Sequence, residues 1–167
     1  MAEANNPLEE LLQDELKDIY SAEKQIIQAM PKMIKAAQSP DLKRAFERHL
    51  EETRRQLERL DQIGDELEIK MTGKKCKGME GLIEENKEMM EEDAEPEVMD
   101  AGLIVGCQKV EHYEIAGYGS VVTFAKMLGD NESARLLAQT LDEEEKTDKR
   151  LTDLAKSSIN VDAAQGA

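Results

Sequence analysis

The chain has 167 residues, with four prolines, ten glycines and 35% charged residues, a balance that suits one helix-rich domain with a sizeable core and not a β-sandwich or barrel. Its net charge of −15 argues against a nucleic-acid partner, whose phosphates it would repel, while it raises the local concentration of metal cations. No apolar run approaches the roughly 20 residues of a membrane span, and the start MAEANNPLEELLQDE has no basic segment or isolated apolar stretch, so no secretory signal is expected.

The first helix is predicted from about Pro7 to Gln38, where Ser39-Pro40-Asp41 supplies a cap, a proline for the first helical position and an early acid. The second runs from Pro40 to about Ile69. A linker with Gly73 and Gly78 leads to a short helix over Met79–Glu92, and Pro96 opens a long helix that stops at Gly129. Asp130 or Asn131 caps the last helix, which is expected to fade near Ser158. Residues 1–158 thus read as one domain, and the tail 159–167 as disordered. Cys76 in KKCKG and Cys107 in an apolar helical run are expected to be free thiols of a cytoplasmic protein.

Two short links pair the helices as antiparallel hairpins, and the long link over residues 70–95 can cross the bundle's whole length. The expected fold is all-α: a ferritin-like four-helix bundle with one long crossover carrying a short extra helix.

At heptad spacing each long helix shows a seam that is apolar at both ends and polar at its centre. Helix one gives Leu12, Leu16, Ile19, Glu23, Ile26, Met30 and Met33. Helix two gives Leu42, Phe46, His49, Thr53, Gln56, Leu60 and Ile63, with Glu52 flanking the polar stretch. The long third helix gives Ile104, Cys107, Glu111, Glu114, Tyr118 and Val121, and the last gives Leu137, Leu141, Glu144, Asp148 and Leu151. Midpoints coincide when helices of similar length are bundled, so Glu23, His49, Glu52, Glu111, Glu114, Glu144 and Asp148 are expected in one layer.

Singly, each of these is an ordinary boundary acid or core histidine, and the DEEE run at Glu144 reads as a solvated face. Together they pose an electrostatic problem, because each isolated buried charge costs several kcal/mol or more and like charges repel further. No lysine or arginine occupies the seams at that level. Two cations bridged by carboxylates would neutralise the layer, and oxygen ligands with one imidazole suit iron or manganese. His112 is expected outside the ligand set. Tyr118, beyond Glu111 on the same seam, is the candidate redox-active tyrosine.

The stretches DIYSAEKQ, HLEET, KCKGMEGLIEE, QKVEHYEIAGYG and TLDEEEKTDKRLTDLA resemble the YciF-type stress-protein family, a bacterial branch of the ferritin-like superfamily. The resemblance spans about residues 8 to 157. It implies a cytoplasmic homodimer with a di-iron site and a part in stress response. It also aligns Glu23, Glu52, the Glu111/Glu114 pair and Glu144 with the superfamily's ligand pattern. Two positions depart from that pattern: Arg55 stands where a histidine is expected, the histidine lying instead at His49, and Thr147 replaces a second one, leaving Asp148 as the substitute.

The chemistry expected of such a site is reaction of Fe(II) with oxygen or peroxide, with Glu52 and Glu111 as bridges and Glu114 as a carboxylate that shifts. No Cys-x-x-Cys electron-transfer module is present, so turnover would need an external reductant. Iron or manganese sequestration without turnover and a helical scaffold with a vestigial metal layer are the competing readings.

Overall fold

The computed structural model describes residues 6–166. Helix α1 (Pro7–Ala36) begins at Asn6, whose side chain accepts the Leu8 N–H at 3.0 Å, with Glu9 and Glu10 in the first turn facing the positive end of the helix dipole. Helix α2 (Pro40–Glu66) starts in the same way, with Ser39 as cap and Pro40 in the first turn. Between them, the buried carboxylate of Asp100 accepts the N–H groups of Gln38 and Ser39 at 2.7 and 2.8 Å. These caps satisfy backbone donors that no helix can bond internally.

Helix α2 stops before the expected Ile69. Glu68 turns left-handed at φ 54°, and the Ile69 N–H bonds back to the Gly64 carbonyl at 2.8 Å. Helix α3 (Lys77–Glu91) occupies the linker, capped by Cys76. Helix α4 (Pro96–Met127) ends at Gly129, whose φ of 80° lets the Asp130 N–H reach the Ala125 carbonyl at 2.9 Å. Asp130 then caps α5 (Asn131–Leu154) through the Ser133 N–H.

The chain does not lose its helix near Ser158. A π-helical segment, Ala155–Ile159, leads into α6 (Asn160–Gln165), which packs on α4. The expected disordered tail is therefore helical through Gln165, with residue 167 outside the described residues. Ile159, 4% exposed, is the physical reason, because it joins the same apolar cluster as Leu103 and Leu151.

Side-chain pairings fix the topology. Asp100 at the start of α4 meets the end of α1, and Tyr118 meets Glu23 further back, so α1 and α4 are antiparallel. Glu52 meets Thr147 while Arg59 meets Thr140, so α2 and α5 are antiparallel as well. Hence α2 and α4 run parallel, and the connection between them crosses the full bundle. Helix α3 lies in that crossover against α1 and α4. It approaches α4 closely at Gly106, where a Cβ would fall 1.9 Å from Asn86 Oδ1.

The apolar core is in two parts. One gathers Ile26, Met30, Phe46, Ile104 and Leu151, and the other Leu16, Ile19, Leu60, Tyr118 and Leu137. A polar layer lies between them.

Candidate metal centre

Six of the seven expected ligands lie in that layer. Glu23 on α1, His49 and Glu52 on α2, Glu111 and Glu114 on α4 and Glu144 on α5 are all buried, none more than 6% exposed. All but Glu52, which flanks its seam, are held on the inner face by apolar neighbours one or two turns away on the same seam, which leave the helix no freedom to rotate them outwards. Tyr118 donates to Glu23 Oε1 at 2.5 Å, and Gln56 donates to Glu144 Oε1.

The seventh, Asp148, is a correction. It sits at the margin of the bundle, accepting from Gln108 Nε2 at 3.1 Å and pairing with the exposed His112 at 3.1 Å. Its neighbour Thr147 takes the inner position and donates to Glu52 Oε2 at 3.1 Å. Positions three and four residues after Glu144 are nearly equivalent on a helix face, and the packing selects the smaller, neutral side chain.

A second correction concerns Glu52. The seams carry no cation, but Arg48 and Arg150 reach in from the flanks, at 3.0 and 3.1 Å. Burial raises the Glu52 pKa, and the hydrogen bond from Arg48 with the charge of Arg150 outweighs it, leaving the carboxylate below its ordinary value. Sequence gave no signal for these arginines, because flank positions look like any solvated face. Gln56 and Cys107, by contrast, stand on the seams.

Among the described residues the other four glutamates have no arginine or lysine partner. Burial raises Glu111 first, with the Glu23 and Asp148 charges adding to it, and its pKa is pushed up to about 8. Glu23, Glu114 and Glu144 are raised well above their ordinary value, again by burial first, and then by the charge of Glu144 on Glu23, of Glu23 on Glu114 and of Glu111 on Glu144. His49 Nε2 lies 2.8 Å from Glu111 Oε1 but is not aligned for a hydrogen bond.

Unpartnered atoms are concentrated here. Glu23 Oε2, both His49 nitrogens, Glu111 Oε2, both Glu114 oxygens and Glu144 Oε2 are buried without a hydrogen-bond partner. Folded proteins leave few such atoms, each costing about 1–3 kcal/mol. Five glutamates and an imidazole converging from four helices fit a pair of hard divalent cations, which would satisfy these oxygens and offset their mutual repulsion.

Comparison with known proteins places the chain. Residues 7–164 match a family described as a domain of unknown function, DUF892. The chain belongs to the DUF892 family. Protein YciF of Escherichia coli K12 is 49% identical over 153 residues, 91% of this chain and 92% of its own length. The crystal structure of that E. coli stress protein superposes with a TM-score of 0.89 at 47% identity, covering 93% of this chain and 98% of its own. YcfI of Rhodopseudomonas palustris superposes with a TM-score of 0.85 at 41% identity, covering 91% and 97%. The family fold is thus the all-helical bundle described above. Among the described residues no helix is long and apolar enough to cross a membrane.

Proposed function

We propose that this chain is a stress-response protein that holds two iron ions in its polar layer and reacts Fe(II) there with oxygen or hydrogen peroxide. The observation that carries the reading is the set of buried glutamate oxygens left unpartnered on α1, α4 and α5 around His49. The similarity to a protein described as an E. coli stress protein supports the cellular setting.

Glu23, His49, Glu52, Glu111, Glu114 and Glu144 would hold the metals. A ferrous pair, once bound, would supply the two electrons needed to convert one peroxide, with two protons, to two waters. The protein's own groups do the rest. Tyr118 fixes one oxygen of Glu23 and leaves the other unpartnered, and it is our candidate for a redox-active side chain beside the centre. Thr147 and Arg150 orient Glu52, as outer partners orient metal ligands generally. Glu114, with neither oxygen hydrogen-bonded, is free to change its contacts as charge changes, whereas Glu52, already held by Arg48, Arg150 and Thr147, would be the fixed carboxylate of the set, and Glu111 would contribute its unpartnered Oε2. Manganese fits the same donors, and an external reductant would restore the ferrous state.

The family resemblance makes a homodimer part of the proposal, and a sizing column separates it from a large storage shell. The chemical test is anaerobic loading with Fe(II) followed by peroxide. Two irons per chain, one peroxide consumed per two irons and an oxidised-iron absorption band are expected. Iron held without peroxide consumption would leave sequestration in its place. A wild-type protein that takes up no metal, or a Glu111→Ala/Glu144→Ala variant that takes up as much as wild type, would refute the site.

A further inference from the structure

We propose that His49, Cys107 and Glu111 form a distinct three-ligand subsite, at one end of the polar layer, for a single thiophilic divalent cation of the zinc type. The inference rests on the reading of the layer as a metal centre and divides that layer into two unequal halves. One ligand atom from each of the three residues lies within 4.8 Å of the other two, and all three side chains are buried. His49 brings two nitrogens with no hydrogen-bond partner. Cys107 lies one helical turn before Glu111, with its Sγ 3.9 Å from Glu111 Oε1. That is too long a contact to hold the thiol firmly. The remaining part, Glu23, Glu52, Glu114 and Glu144, offers oxygen alone.

Donor chemistry separates the halves. Thiolate, imidazole and carboxylate from three side chains make the kind of set that zinc takes, with a fourth position open to water, whereas a carboxylate cage suits iron, manganese or magnesium. When the cation binds, a sulfur–metal bond replaces the S–H bond, the proton leaves to solvent, and no electron is transferred. Cys76 cannot serve in its place, because its sulfur is engaged with Asp18 and Tyr113, at 3.3 and 3.0 Å, beyond the layer. The subsite makes zinc a competitor for iron at one position of the centre and not at the other.

The test is anaerobic titration of Co(II), a spectroscopic stand-in for zinc, into the metal-free full chain. A thiolate-to-cobalt charge-transfer band is expected in the near ultraviolet, saturating at one equivalent. Cys76→Ser should keep it. Cys107→Ser and Cys107→Ala should lose it while keeping the helical circular dichroism of the wild type. Zn(II) at one equivalent should abolish the band, and Mn(II) should not. No band in the wild-type protein, or a band that survives in a Cys107 variant, would overturn the subsite. Two ferrous ions per chain without a cobalt–sulfur band refute the subsite and leave the di-iron reading intact, whereas the band without ferrous uptake does the reverse.

Discussion

Replacing Glu111 with glutamine should change how the metal-free protein responds to pH. Burial and its acidic neighbours raise the Glu111 pKa from 4.5 to about 8, so the folded chain keeps a proton that the unfolded chain gives up. Below pH 4.5 both states are protonated and the group costs nothing. As pH rises from 4.5 towards 8 the folded state is progressively penalised, by about 1.4 kcal/mol for each pH unit. Over that whole window the loss is of order 5 kcal/mol, or about 10–20 °C in Tm for a domain of this size. Glutamine is neutral throughout and removes this part of the dependence. The assay is thermal unfolding of wild-type and Glu111→Gln protein, stripped with a chelator, at several values between pH 4.5 and 8.5. The variant should gain on the wild type steadily as pH rises. Iron-loaded wild type should behave oppositely, growing more stable with pH, because its ligands must be deprotonated to bind. A Tm difference between the two metal-free proteins that stays constant across the range would refute the placement of Glu111 in a dry, acidic layer.

Three further substitutions probe the frame around the site. Tyr118→Phe removes the hydrogen bond that Glu23 Oε1 accepts and should destabilise the metal-free chain by about 1–3 kcal/mol in urea unfolding. Gly106→Ala places a methyl 1.9 Å from Asn86 Oδ1 and 2.7 Å from its Cγ. It should cost about 1–3 kcal/mol and speed amide exchange in α3 more than in α2. Asp100→Ala removes the carboxylate that accepts the part-buried N–H groups of Gln38 and Ser39 and should cost about 1–2 kcal/mol, again by urea unfolding.

Most of the architecture was legible because helix boundaries obey local chemistry. Asp130, Ser39 and Gly129 act within a few residues of themselves, so their effect is written next to them in the chain. The inward faces of Glu23, His49, Glu111, Glu114 and Glu144 were equally legible, since a seam with apolar members on both sides leaves no other rotation for the residue between them. The end of α5 was misjudged because Ile159 is anchored by residues on other helices, and nothing beside it in sequence announces that anchor.

The sequence by itself settled that four helices bury acids at their midpoints, because periodicity is a property of one helix at a time. Which flanking groups meet those acids depends on how the helices are turned and slid against one another. Only the tertiary structure could place Thr147 inside and Asp148 outside, or bring Arg48 and Arg150 to Glu52 alone. One residue step on a helix is about 100°, so Thr147 and Asp148 fall on either side of the Glu144 line, and the rotational setting of α5 decides whether a neutral hydroxyl or a charge faces the layer. That choice is made by contact energies summed over the whole bundle, and no single stretch of the chain contains them.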